Sequence, residues 1–246
     1  MVDTACLYGS SHEFIGMALG ELGASVKVVT KLPTMRAGDL EEALAKALQD
    51  LRAPNVYGLM VHHGKDLNGP LGEEMSSFLA RQRDLGLADK VGFSCYSPEE
   101  ALAASDVLIP QVMQLPLNPL DQRFLASGVL KRFKAMGAEI HVRSCFLQGL
   151  LLMDAVEGAE KVKGAGRFLS RFAERASDLG LSSMELALGF CLSIEEVDRV
   201  VVGVDSPGQI SEIVCAVRSA AGRVRPEDLE DLMCFDEAVI DPRTWG

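Results

Sequence analysis

Short runs rich in valine and isoleucine, closed by small or polar residues and followed by longer amphipathic stretches, recur from one end of this chain to the other. The strand-like runs fall at residues 2–3, 25–30, 56–61, 90–93, 107–114, 138–142 and 199–202. Helical patterns separate them at 39–51, 73–85, 98–104, 122–136, 166–179, 183–192 and 206–220. Parallel neighbours need crossover connections, so this alternation predicts an α/β fold with a parallel sheet. Helix starts are legible too: Ser97 precedes Pro98-Glu99-Glu100, and Ser183 precedes Glu185. No linker or low-complexity stretch interrupts the 246 residues, which predicts a single domain over 1–246.

Two architectures suit such a chain, an open doubly wound sheet and a (β/α)8 TIM-type barrel. An open dinucleotide-binding sheet should carry G-x-G-x-x-G after its first strand, and the sequence has none. Polar residues instead close successive strands: Asp3 after Val2, Lys31 after VKVVT, His62 after LMV and Ser94 after VGF. A barrel gathers its chemistry at the C-terminal ends of its strands in this way. The barrel is therefore expected, with seven of its eight strands visible.

Charge and cysteine usage limit the partners. A net charge of −11 argues against nucleic acid or an anionic membrane as the main one. The longest apolar runs, such as 149–153, are far too short to span a bilayer. Six scattered cysteines without a C-x-x-C pair, and no targeting signal, predict a reduced cytoplasmic setting with mostly buried structural thiols.

Asp3, Tyr8, Lys31 and His62 lie on or just after three consecutive strands. Parallel strands sit about 4.8 Å apart, so the four side chains are within reach of one another. A free tyrosine, with a pKa of about 10, exchanges protons poorly near neutrality. A nearby ammonium lowers that value, a carboxylate can hold the ammonium, and an imidazole can orient a carbonyl. The set suits carbonyl reduction, with Tyr8 protonating oxygen as hydride reaches carbon. Taken singly, Asp3 reads as a cap or a solvated charge, Tyr8 as a core-edge aromatic and Lys31 as a strand end. The His62-His63 pair invites a metal, but further ligands at suitable spacing are missing, so no metal site is expected.

DTACLYGSSHEFIG, VVTK, LMVHH, VGFSCYS, QLPLN, RSCFLQGLL and VVVGVDSPGQISEI, in that order, resemble the aldo-keto reductase superfamily. The resemblance covers nearly the whole chain from the family's second strand onward, so the family's first strand and helix have no counterpart. It implies a (β/α)8 barrel that reduces carbonyls with a nicotinamide cofactor. It makes Asp3, Tyr8, Lys31 and His62 the catalytic tetrad. Ser94 and Gln114 match residues that hold the carboxamide, with Cys95 where an asparagine is usual. Gly203, Ser206, Gln209 and Glu212 fall in the segment that cradles the pyrophosphate and adenosine, where a helix N-terminus adds its dipole.

Departures from the pattern carry their own expectations. Asp205 stands where many members place a lysine or arginine for the 2′-phosphate of NADP, which gives NAD extra weight over NADP. His12 replaces a common glutamate. Arg143 lies near the position of an aromatic that stacks on nicotinamide. A ligand or cofactor contact and a rim ion pair stay equally open for it. RSCFLQGLLLM with the terminal DPRTWG resembles a bacterial subgroup found with surface-polysaccharide genes, which points to a sugar-derived carbonyl substrate. A barrel without its first strand would leave two open edges. The expected remedies are a longer natural chain, a homodimer over the gap or a rearranged opening segment. The competing reading is a catalytically inactive binding or scaffold protein of the same fold.

Overall fold

The computed structural model describes residues 1–23 and 26–245. The chain divides into two compact units, residues 1–115 with 132–139, and residues 116–131 with 140–246. The boundary passes within one helix and one strand.

The first unit opens with β1 (Val2–Asp3), α1 (Ser11–Leu22), β2 (Val28–Leu32), α2 (Ala37–Leu51) and β3 (Val56–Val61). It continues with α3 (Gly72–Asp84), β4 (Ala88–Ser94), α4 (Pro98–Ser105) and β5 (Val112–Pro116), whose last residue lies beyond the unit. These strands pair in sequence order and all in parallel. Asp3 stands beside Val29, Lys31 beside Met60, Met60 beside Gly92, and Ser94 beside Gln114. Val29, Met60 and Val112 form an apolar cluster against which Tyr57 packs. Burying such side chains gains roughly 1.5–3 kcal/mol each.

α5 (Arg123–Ala126) lies in the second unit, and the boundary falls inside α6 (Val129–Ala135) and β6 (Glu139–Arg143). The second unit then holds α7 (Ala155–Lys161), α8 (Gly166–Asp178), α9 (Ser183–Ser193), β7 (Arg199–Val200), α10 (Pro207–Ala220) and α11 (Glu237–Ile240). Within it β6 and β7 pair in parallel, His141 beside Arg199. No described helix is long and apolar enough to cross a membrane.

Several boundaries differ from the sequence expectation for local reasons. The run at 107–114 becomes a strand only from Val112. Val107 and Leu108 still donate backbone hydrogen bonds to Ala104 at the end of α4, and Pro110 has no N–H to give. The run at 25–30 begins at Val28 and extends to Leu32, and its Ser25 lies outside the described residues. The run at 199–202 shortens to Arg199–Val200. The helix at 122–136 divides in two at Gly128, whose φ of 72° is left-handed backbone that suits glycine. Ser97 does cap α4 by accepting from Glu100 N–H. Ser182, not Ser183, caps α9.

α1 has no counterpart among the expected helices, because it buries only His12 and Gly16. At Gly16 it lies so close to α2 that a Cβ would stand 2.0 Å from the Asp50 carbonyl oxygen.

Candidate active site

The site grows from the C-terminal ends of β1 to β5. Lys31 was expected just after a strand, but it lies inside β2 and is only 1% exposed. A buried ammonium needs partners. It donates to Asp3 Oδ2 at 2.6 Å and to the Thr4 carbonyl at 3.0 Å. The same Nζ lies 5.4 Å from the centre of the Tyr8 ring. His62 follows β3, its backbone N–H donating to the Leu32 carbonyl at 2.8 Å. Its ring meets Tyr8 edge-on, with centroids 5.7 Å apart. His63, beyond the strand and freed from strand alternation, lies 4.7 Å from His62 between ring centres. The structure therefore brings Asp3, Tyr8, Lys31 and His62 together around a phenol that is 50% exposed.

The loop that presents Tyr8 is tied at both ends. Tyr8 N–H donates to Ala5, Ser11 N–H donates to Tyr8, and Cys6 N–H donates to Lys31 on β2. Thr4 and Ser11 hydroxyls meet at 2.6 Å, and His12 Nε2 lies 2.8 Å from the Thr30 hydroxyl. Burial holds His12 below the ordinary imidazole range, with Asp50 opposing it. Thr4, Ser11 and Thr30 were not identified from sequence. Their only signal is adjacency to Asp3, to the Tyr8 loop and to Lys31.

Ser94 and Gln114 are register partners on β4 and β5, and both are buried. A hydroxyl and an amide side by side are the donor and acceptor set that a nicotinamide carboxamide takes, so these residues fit that group. Gln114 is also committed elsewhere: its Nε2 donates to Asp3 Oδ1 at 2.8 Å. Cys95 sits beside them with its Sγ 3.8 Å from the Gln114 carbonyl oxygen.

The remaining residues of interest lie in the second unit. Arg143 ends β6, and its Nη1 lies 3.4 Å from the Ser144 hydroxyl. Ser144, Leu147 and Gln148 have φ of 61°, 48° and 53°. Left-handed backbone outside glycine costs about 1–3 kcal/mol per residue and collects at ligand loops. The sequence marks this stretch as the RSCFLQGLL motif but does not show its left-handed backbone. Asn118 Nδ2 donates to the Ser144 carbonyl and helps hold it. Gly203, Asp205, Ser206, Gln209 and Glu212 are all exposed around the start of α10. Ser206 caps that helix by accepting from Gln209 N–H, while Gln209 Oε1 accepts from Asp205 N–H.

Burial pushes the Cys145 thiol up to about 12 and the Cys191 thiol well above its usual value, so neither is an activated nucleophile. Among the described residues no group of three or more His, Cys, Asp or Glu side chains is arranged to hold a metal ion.

Comparison with known proteins agrees with this architecture. L-glyceraldehyde 3-phosphate reductase of Escherichia coli O157:H7 is 29% identical over 270 residues, spanning 95% of this chain and 76% of that protein. An aldo-keto reductase from Bacillus halodurans in its holo form superposes with a TM-score of 0.77 at 19% identity, covering 96% of this chain and 84% of that one. An aldo/keto reductase from Klebsiella pneumoniae, in complex with NADP and acetate, gives 0.71 at 18% identity, with coverage of 98% and 81%. The fold is thus of the (β/α)8 TIM-barrel type, with seven strands among the described residues. The model of the aldo/keto reductase family matches residues 1–222, and the chain belongs to that family.

Proposed function

We propose that this protein reduces a small, sugar-derived aldehyde or ketone with a nicotinamide cofactor, Tyr8 supplying the proton. Membership of the aldo/keto reductase family makes it an oxidoreductase of aldehydes and ketones. The observation that carries the finer reading is the Lys31 ammonium, pinned by Asp3 at 2.6 Å and 5.4 Å from the Tyr8 ring centre. A cation held there favours the phenolate that remains after proton transfer. His62, at the edge of the same ring, orients the carbonyl oxygen toward the phenol. Half-exposure of Tyr8 leaves its hydroxyl within reach of an incoming substrate.

When bound, the nicotinamide cofactor supplies hydride. Ser94 and Gln114 would hold its carboxamide. Arg143 and the segment with Gly203, Asp205, Ser206, Gln209 and Glu212 would hold its phosphates and adenosine. The carboxylate of Asp205 repels a 2′-phosphate, which favours NAD over NADP. The glyceraldehyde-phosphate reductase relative supports a short hydroxyaldehyde as substrate class.

The test is fluorescence titration with NADH and NADPH, followed by turnover of a hydroxyaldehyde panel by the full chain and by Tyr8→Phe. Binding of a cofactor and loss of turnover in Tyr8→Phe support the reading. A protein that binds neither cofactor and reduces no aldehyde is the non-catalytic scaffold instead. Phe14, Met17 and Leu22, exposed along α1, support pairing of two copies over that face. Sedimentation of the full chain as a monomer at all concentrations would exclude it.

A further inference from the structure

Asp3 is tethered on both of its oxygens. Oδ2 accepts from Lys31 at 2.6 Å, and Oδ1 accepts from Gln114 Nε2 at 2.8 Å. Gln114 lies on β5 and Asp3 on β1, with β2, β3 and β4 intervening in the pairing order. A direct bond between side chains with three strands between them requires both to project from the same face of a curved sheet. It closes a span of 111 residues with one amide.

β1 is a strand of two residues paired with β2 alone within its unit. Backbone bonds from Val2 N–H to Lys27 and from Thr4 N–H to Val29 hold the main chain at Asp3, but a carboxylate bonded on one oxygen can still turn about its Cβ–Cγ bond. A second donor, approaching the other oxygen, fixes the carboxylate plane. The position of Asp3 in turn fixes Lys31 Nζ, which lies 5.4 Å from the centre of the Tyr8 ring.

We propose that Gln114 is a positioning residue for the proton donor, holding the Asp3 carboxylate and, through it, the Lys31 ammonium against Tyr8. This rests on the reading of Tyr8 as the proton donor. Among the described contacts, the Lys31 ammonium from β2 and the His62 ring from the end of β3 face Tyr8, and Asp3 from β1 bonds that ammonium. An amide suits the position because it donates without bringing charge. Glutamate would set an acceptor against an acceptor, and methionine would keep the bulk without a donor.

The test is an ultraviolet titration of tyrosinate in the full chain, in wild type, Gln114→Met and Gln114→Glu. Subtracting the matching Tyr8→Phe background separates Tyr8 from Tyr57 and Tyr96. The Tyr8 midpoint should rise by about one pH unit in Gln114→Met, a tenfold loss of phenolate at fixed pH. It should rise further in Gln114→Glu, and the alkaline limb of the pH–turnover profile should move with it.

A purely structural glutamine would lower thermal stability and leave the midpoint in place, which overturns the proposal. A change confined to cofactor affinity overturns it as well. Gln114→Leu removes the donor without adding charge and keeps the test open if the methionine variant does not fold, whereas the carboxylate of Gln114→Glu raises the midpoint by its own charge and only scales that effect. Absence of turnover in wild type counts against the reductase reading, whereas the midpoint shift judges Gln114 without any turnover.

Discussion

The Lys31 ammonium is sealed from solvent 2.6 Å from Asp3, whose side chain keeps 16% of its surface exposed. The two ends of this pair are therefore not equivalent. Asp3→Ala leaves a buried cation without its counter-charge, and breaking a buried pair in that way costs about 3–5 kcal/mol. Lys31→Met replaces the cation with an apolar chain of similar length and leaves only a partly wet carboxylate. Urea unfolding should show the larger loss for Asp3→Ala. Equal losses would mean that burial does not set the cost.

Tyr8 separates chemistry from folding. Its ring is half exposed, so Tyr8→Phe should change unfolding free energy by no more than about 0.5 kcal/mol. Loss of a general acid lowers turnover by about 10²–10⁴-fold. Steady-state reduction of a short hydroxyaldehyde, beside a thermal melt of the same sample, checks both halves. A variant that retains more than a tenth of the wild-type rate would remove Tyr8 from the proton transfer.

The alternation of strands and helices was legible because period and length report burial directly. What was not legible depended on register and on distant contacts. Residues 107–109 are apolar and two of them are β-branched, yet Pro110 and the end of α4 keep them out of β5. α1 buries two residues, too few to print a helical stripe. Adjacent Ser182 and Ser183 offer the same cap chemistry, and only geometry chooses between them. The tetrad residues were visible as a pattern of types, but the burial of Lys31 and the bond from Gln114 to Asp3 belong to pairing across the sheet.

Asp205 offers a direct test of cofactor choice. It is exposed beside the start of α10, and its backbone N–H is already satisfied by Gln209. Replacing the side chain should therefore leave the fold intact. Asp205→Lys exchanges repulsion of a 2′-phosphate for attraction. The ratio of NADH to NADPH dissociation constants should shift toward NADPH by at least about tenfold, equivalent to 1.4 kcal/mol. An unchanged ratio in fluorescence titration would place Asp205 away from the adenosine ribose.

The reciprocal cap of α9 makes stability depend on acid. Ser182 N–H donates to Glu185 Oε2 at 2.7 Å, and Glu185 N–H donates to Ser182 Oγ at 3.2 Å. The Ser182 N–H, then the Ser219 and Ser182 hydroxyls, hold the Glu185 carboxyl down at about 2 from 4.5. Because the folded value is the lower one, the carboxylate stabilises the fold fully above the unfolded value of 4.5. That contribution fades as pH falls through the interval and is gone below about 2. Glu185→Ala should therefore be less stable than wild type at pH 7, and urea midpoints should converge as the pH is lowered toward 2. Ser182→Ala, which removes the cap hydroxyl, should cost about 1 kcal/mol at pH 7. A gap between wild type and Glu185→Ala that stays constant from pH 7 to pH 2.5 would show that side-chain packing, not ionisation, is what Glu185 contributes to the cap.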